Sequence, residues 1–534
     1  MKKYIISLVV FFSLTSFAQE GFYLLTTMSG DSVGDQFSVV SHIGDVNADG
    51  FDDIIVGAPG GDYAKLFFGG AVFDTIPDLT FRDYKQYNCQ FGCSIAGDGD
   101  VNGDGYPDII IGASSTWIGP SCPFECFVTG AAYVYFGGPS IDTTADLTLI
   151  VGDWNTQTGW YYGFGESDCI PGDLNADGYD DFVISAPNDD YDAHGRVYIY
   201  FGGPNVDDQY DVLLEGEEVF DNFGQSLSAV GDMNNDGFDD VLIGAPMFHN
   251  NIPNKIYQGG KAYLVYGGSE ISLNNSIEFI GDSTSYVYGR FIAGLGDVNG
   301  DTIEDLGIMG DRYFKIISGN DFSILLEISR INNWDGNFQN ICSGDINNDN
   351  FNDIIISLED TSNYYAGKID IYMGRIDLYS APDFTIEGNT PFYGLGASTA
   401  YIGKLNGNDK NYIGIGELYE SFPDTGKIFI YSFGNPNNIN EEYNHIPERY
   451  KLFQNFPNPF NSSTIIKYSV PQQEEVKLNL YDLLGRLMAT LVNEKKNTGE
   501  HQIELNTKNL SSGVYFYQLI AGNVILTNKL ILLK

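Results

Sequence analysis

The chain has 534 residues, 43% hydrophobic and 14% aromatic, which is ample material for a core; its length suggests several domains or a repeat built into one body. Its formal charge of −45 argues against nucleic acid and anionic membrane as partners, because phosphate binding rests on Lys and Arg. Much of the acid is gathered in short loops, where bound cations would offset it.

Met1-Lys-Lys3 is a short basic start, Tyr4 to Phe17 is apolar, and Ser16-Phe-Ala18 offers small residues for cleavage. The pattern reads as a secretory signal peptide over residues 1–18, too short for a comfortable membrane span. No later apolar run is long enough to cross a bilayer, and no Cys follows the cleavage point to carry a lipid. A soluble, exported chain beginning at Gln19 is expected.

Asp45-Val-Asn-Ala-Asp-Gly-Phe-Asp-Asp53 comes next, followed at once by Ile54-Ile-Val-Gly-Ala-Pro59. Asp45, Asn47 and Asp49 place side-chain oxygens at alternate positions, Gly50 permits a turn, and Asp53 returns a carboxylate. Hard oxygen donors crowded in this way suit Ca²⁺, which takes six to eight of them. The spacing begins like an EF-hand, but Val56 stands where that loop needs Glu, so a calcium loop at the tip of a β-hairpin is expected.

The loop recurs in register. With position seven counted in each ligand set, the expected metal residues are Asp45, Asn47, Asp49, Phe51 and Asp53; Asp100, Asn102, Asp104, Tyr106 and Asp108; Asp173, Asn175, Asp177, Tyr179 and Asp181; Asp232, Asn234, Asp236, Phe238 and Asp240; Asp297, Asn299, Asp301, Ile303 and Asp305; and Asp345, Asn347, Asp349, Phe351 and Asp353. Thr302 and Asn350 replace the central glycine in the fifth and sixth loops. A left-handed backbone suits Asn better than β-branched Thr, so the fifth should be the weakest of the six. A seventh copy, Gly403 to Asp409, has Lys404 at position one and Tyr412 at position nine and is expected to have lost its metal.

Each unit opens with an aromatic-glycine pair: Phe91-Gly92, Phe164-Gly165, Phe223-Gly224, Tyr288-Gly289. A short strand, the Asp-rich loop, a strand ending like Gly57-Ala-Pro59 or Gly244-Ala-Pro246, an aromatic-alternating strand such as Gly195–Phe201, and a fourth strand follow. Four short strands per unit describe a propeller blade. The seventh unit lacks its outer strand, which Phe22–Thr27 would supply, removing an exposed edge.

These features resemble the FG-GAP repeats of the integrin α-subunit β-propeller. The resemblance covers residues 20–434 and weakens in the last three units, where Met309, Leu358 and Glu417 interrupt the Gly-Ala-Pro segment. It implies an all-β, seven-bladed β-propeller with calcium-binding hairpin loops over residues 19–434.

After a polar linker, 435–449, a separate module occupies 450–534. The runs Val476–Tyr481, Gln502–Leu505, Val514–Leu519 and Val524–Leu533, with turns at Asp482–Gly485 and Ser511–Gly513, predict a small antiparallel sandwich. Asn455-Phe-Pro-Asn-Pro-Phe-Asn461, Tyr481-Asp482, Gly485, Ser512-Gly-Val-Tyr515 and the closing Lys529–Lys534 resemble the type A sorting domain of the type IX secretion system. The resemblance implies handling by that machinery, passage across a Gram-negative outer membrane, removal of the domain, and release or attachment at the surface.

Cys89, Cys93, Cys122 and Cys126 fall in one unit and could pair in three ways. A four-Cys zinc site is the alternative, disfavoured by three-residue gaps and an oxidising compartment. Cys169 and Cys342 read as buried small hydrophobes. Of five His residues, only His194, near Asp189, Asp190 and Asp192, sits among acids, and no nucleophile elbow is visible. The expectation is a non-enzymatic, secreted or surface propeller with up to six structural Ca²⁺, serving adhesion or glycan/protein binding; a hydrolase is the alternative class. Strand parity puts the two–three loops and the blade crossovers on the face opposite the calcium loops. Trp117, Trp154, Trp160 and Trp334 fall in such segments, and the first three, beside Phe124, Tyr161 and Tyr162, are the candidate ligand residues.

Overall fold

A computed structural model describes residues 21–532 except 84–88, 119–126, 129, 152–160, 190–193, 250–258, 282–286, 312, 330–336, 360–365, 389–392, 407–409, 420–424, 435–450, 453–462, 471–473, 484–485, 497–498, 507–509 and 523. The expected signal peptide and linker, Cys122, Cys126, Phe124, Trp154, Trp160, Trp334, Asp409 and the Asn455–Asn461 motif therefore lie outside the described residues. The chain divides into two compact units between Pro436 and Asn437.

In the first six repeats the second strand, such as Ile54–Ala58, Asp108–Ala113 or Val241–Ala245, is mostly apolar and buried at each position. Such runs suit strands covered on both faces. Second strands lie in the interior of seven four-stranded antiparallel sheets, each ordered first to fourth strand. Blade one comprises Val39–His42, Ile54–Ala58, Tyr63–Phe67 and Leu79–Arg82, and blade six Phe338–Gly344, Asp353–Leu358, Lys368–Tyr372 and Phe384–Glu387. The fourth strands alternate half-buried and exposed residues, as in Ile277–Ile280, which marks them as the outer edge. First strands touch one another in sequence, and that of the seventh sheet touches that of the first, so the seven sheets close into a ring.

Closure uses the N-terminal segment. Gly21–Ser29 pairs antiparallel with Lys427–Gly434, matching Phe22 to Phe433 and Met28 to Ile428 around a bulge between Leu24 and Thr26. The seventh sheet therefore combines the two ends of the propeller, as the strand count requires. Phe22 packs between Phe384 of blade six and Phe433, at ring separations of 5.6 and 5.2 Å.

The aromatic-glycine and Gly-Ala-Pro segments form one joint. The phenyl rings pack inside their own blades on third-strand tyrosines: Phe91 on Tyr133, Phe164 on Tyr198 and Phe223 on Tyr263, at 5.3, 5.3 and 5.4 Å. The glycine after the ring then meets the preceding blade's Gly-Ala-Pro strand. A Cβ on Gly57, Gly112 or Gly244 would overlap the carbonyl oxygen of Gly92, Gly165 or Gly289 respectively. These positions need glycine for close approach of two main chains.

On the face opposite the Asp-rich loops, Trp117–Ile118 pairs with Phe127–Val128 inside the two–three loop of blade two. Tyr161–Tyr162, from the crossover into blade three, pairs with Asn188–Asp189 of that blade's two–three loop. Crossover and two–three loop thus share a face, as strand parity requires.

The C-terminal unit is a sandwich. Lys451–Leu452, Ser463–Val470 and Gly499–Asn506 form one sheet; Leu487–Lys496, Glu474–Asp482, Gly513–Ala521 and Val524–Leu532 form the other. Ile466, Tyr468, Val476, Leu478, Tyr517 and Leu530 share its core. Two strands, Ser463–Val470 and Leu487–Lys496, are not among the runs expected from sequence; the second is mostly exposed and turns polar at Asn493–Lys496.

Cys89 and Cys93 are not bonded to one another; Cys89 and Cys169 are buried and Cys342 half-buried. Among the described residues no helix is long and apolar enough to cross a membrane.

Candidate metal centres

The third loop shows the local geometry. Asp173 accepts from the main-chain N–H of Asp177 (3.0 Å) and Gly178 (2.7 Å), Asn175 accepts from Asp177 N–H (2.8 Å), and Asp177 accepts from Tyr179 N–H (3.2 Å). These bonds draw the oxygens of positions one, three and five towards the inside of one turn. The same set recurs in the first, second, fourth, fifth and sixth loops. Position six is left-handed throughout, from Gly50 (φ 92°) to Thr302 (φ 72°) and Asn350 (φ 69°). Position four is left-handed as well, even as Ala48 (φ 57°) and Ala176 (φ 56°), a strain the residue types did not announce.

The fifth loop keeps these bonds and differs in one side-chain amide. Asn299 donates its amide to both oxygens of Asp305 at 3.1 Å, whereas Asn47, Asn102, Asn175, Asn234 and Asn347 donate to the position-five carboxylate. With Thr302 in a left-handed backbone, this loop combines strain with a redirected donor.

The position-nine carboxylates are fully buried and have a second task. Asp181 accepts from Leu174 N–H (2.9 Å) at the start of its loop and from Gly202 N–H (2.8 Å) at the end of the third strand. Asp53, Asp108, Asp240, Asp305 and Asp353 make the equivalent pair of bonds, to Val46 and Gly69, Val101 and Gly137, Met233 and Gly267, Val298 and Gly319, and Ile346 and Gly374. Burial, with a contribution from the carboxylates at positions one and five, raises all six to about 7.

Position eight joins neighbouring blades. Asp180 and Asp239 accept the main-chain N–H of Asp100 and Asp173, position one of the preceding loop, each at 2.8 Å, and Asp52 does the same to Lys404 across the ring closure. Asn352 donates to Leu295 O and Asn411 to Asp345 O. The glycine just before each loop answers this contact: a Cβ on Gly172, Gly296 or Gly403 would strike Asp239, Asn352 or Asp52. A glycine stands there in all seven copies (Gly44, Gly99, Gly172, Gly231, Gly296, Gly344, Gly403), a signal present in the sequence that the metal pattern alone did not use. Main-chain bonds extend the seam, with Gly138 N–H to Val46 O and Gly268 N–H to Leu174 O, both 2.7 Å.

The donor set fits calcium. All donors are hard oxygens, and a carboxylate offers about four lone-pair sites, so two main-chain bonds leave capacity on position nine. Among the described residues no three His, Cys, Asp or Glu side chains already converge in a metal-holding geometry. The seventh loop keeps the clamp through Asn411, while the Tyr412 hydroxyl donates to Asn406 at position three (3.1 Å), so protein groups bond one another there. Of the acids near His194, Asp190 and Asp192 lie outside the described residues, and only the main chain of Asp189 and of Trp117 is described.

The FG-GAP repeat profile matches residues 40–73, 91–121, 164–200 and 223–265, and that of the secretion system C-terminal sorting domain matches 454–533. Human integrin alpha-8 is 28% identical over 235 residues, covering 42% of this chain and 20% of its own length. Bovine integrin alpha-2 is 31% identical over 199 residues (34% and 16%), and Drosophila melanogaster integrin alpha-PS2 29% identical over 235 (42% and 16%). The matched part thus spans about a fifth or less of each relative's length. The chain thus carries four FG-GAP repeats within its ring of sheets and a secretion-system C-terminal sorting domain, and the latter indicates the cell surface or the extracellular space.

Proposed function

We propose that this protein is a non-enzymatic propeller that holds Ca²⁺ in up to six loops and binds a glycan or protein ligand outside the cell. The observation that carries the reading is the loop series itself: six sets of oxygen donors in one register, hydrogen-bonded into the seams between blades. A cation bound there neutralises crowded carboxylates and braces two blades at once. The resemblance to integrin α-subunits supports both the metal and a binding role. Ligand contact is assigned to the opposite face, where blades two and three carry paired ribbons around Trp117 and Tyr161–Tyr162. Loops on a rigid frame are where binding residues concentrate, and aromatic faces suit sugar rings or apolar side chains.

The test is a glycan and protein array probed with the mature protein in calcium and in chelator. Trp117→Ala, Trp154→Ala and Trp160→Ala should each weaken binding to the ligand so found by tenfold or more, with unchanged melting temperature. Lost stability with retained affinity would return these residues to a packing role. Export carries its own expectation: a chain ending at Asn435 should cross the inner membrane and collect in the periplasm. Normal amounts of it in the medium would contradict handling by type IX machinery.

A further inference from the structure

Two of the seven repeats lack an aromatic ring at position seven of the loop, Ile303 and Lys410, and beside Lys410 the space opens as a pocket. Position seven is Phe51, Tyr106, Tyr179, Phe238 and Phe351 in five of the loops. Where the contact is visible, that ring covers position four of the preceding loop: a Cβ on Gly103 would run into the Tyr179 ring, and one on Gly300 into Phe351. In blade seven the position belongs to Lys410. Its ammonium lies 2.5 Å from the Tyr23 hydroxyl and 5.0 Å from the centre of the Tyr23 ring, so the side chain turns to the outer strand. Asn348, at position four of the sixth loop, receives an amide from Asn411 (3.2 Å) in place of a covering ring.

A cavity of about 500 Å³ opens at this seam. Ile346, Met373, Phe384 and Phe433 form its apolar wall, with Asn348 and Asn411 among its polar groups. Phe384 and Phe433 stand edge to face, centroids 5.3 Å apart at 74°, with Phe22 as the third ring of the cluster, and a further ring extends such a cluster favourably. The thioether of Met373 is a good neighbour for an aromatic edge. The size falls in the range of small-ligand sites, and apolar walls with a few amides describe their usual lining.

We propose that the seam between blades six and seven binds a phenol: an aromatic ring lying where five of the other six seams hold their own Phe or Tyr, its hydroxyl bonded to the Asn348 and Asn411 amides. The source is either a free small phenol or a tyrosine side chain of a peptide. The inference rests on the repeat geometry; the cavity borders the sixth loop, whose Asn347 also lines it, which is why the test is run in calcium.

The experiment uses the full mature chain in calcium buffer, titrated calorimetrically with p-cresol, with N-acetyl-L-tyrosinamide, and with 4-methylcyclohexanol as a non-aromatic control of similar size. Both phenols, or p-cresol alone if only free phenols enter, should bind saturably with one site, at least fivefold tighter than the control. Lys410→Phe, which restores the ring, should abolish binding and raise the melting temperature, whereas Lys410→Ala should retain binding. Should Lys410→Phe not fold, Met373→Trp fills the same space from the opposite wall and should also abolish binding. Absence of saturable phenol binding by the wild type, or phenol binding unchanged when either variant fills the cavity, overturns the proposal.

Discussion

Removal of Gly21–Ser29 is expected to abolish the native, monomeric propeller. The deletion strips the outer strand from the seventh sheet, and with it the whole ladder to Lys427–Gly434. Met28, 4% exposed, and Phe22, packed against Phe384 and Phe433, lose their burial. At about 1.5–3 kcal/mol for a fully buried side chain of this size, Met28 alone is a sizeable part of a typical domain's net stability of about 5–15 kcal/mol. The bared strand Lys427–Gly434 then offers unpaired main-chain groups to another chain. Size-exclusion chromatography should show oligomers or aggregate, and the remaining monomer should melt well below the intact mature protein. A monomeric deletion protein with an unchanged transition would mean that the ring closes without this strand.

A second large effect separates the two tasks of the Asp-rich loops. Asp181→Ala leaves the buried N–H of Leu174 and the half-buried N–H of Gly202 without acceptors, at about 1–3 kcal/mol for the first and less for the second, so it should destabilise by about 2–4 kcal/mol whether or not calcium is present. Asp177→Ala removes a more exposed donor whose main-chain bonds lie within the turn, and its cost should appear in calcium and largely vanish in chelator. A site at a hundredfold excess of free ion over its Kd stabilises by about 2.7 kcal/mol, which sets the scale of that cost. Asp301→Ala, in the strained fifth loop, should cost less than Asp177→Ala. Chelator should lower the melting temperature of the wild type by more than any one exposed-donor substitution does in calcium. Identical wild-type melting curves in calcium and chelator would remove the metal role, while equal effects of Asp181→Ala and Asp177→Ala in chelator would remove the role of Asp181 as acceptor for Leu174 and Gly202.

Some of this architecture was written in local chemistry. Buried second strands such as Ile54–Ala58 read as unbroken apolar runs because neighbouring blades cover both faces, and the left-handed turns at Gly50 and Gly178 are residues that only a few side chains tolerate. Seven repeats with six complete sets of strands also required an outside strand, and the N-terminal segment was the apolar run available to supply it. Other features have no local signature. The carboxylate of Asp181 reads as a metal ligand, yet its acceptance of two N–H groups depends on where the third strand ends, 21 residues away. Asp239 at position eight looks like a solvated acid until the preceding blade brings Asp173 N–H to it. The cavity beside Met373 and Phe433 follows from Lys410, whose identity is plain but whose turn towards Tyr23 is set by the closing strand. By itself the sequence determined the repeat, its turns and its candidate donors, because these follow from side-chain chemistry within a few residues. Only the tertiary structure decided which groups meet across the seams, because those contacts join residues from different blades whose juxtaposition depends on the closed ring.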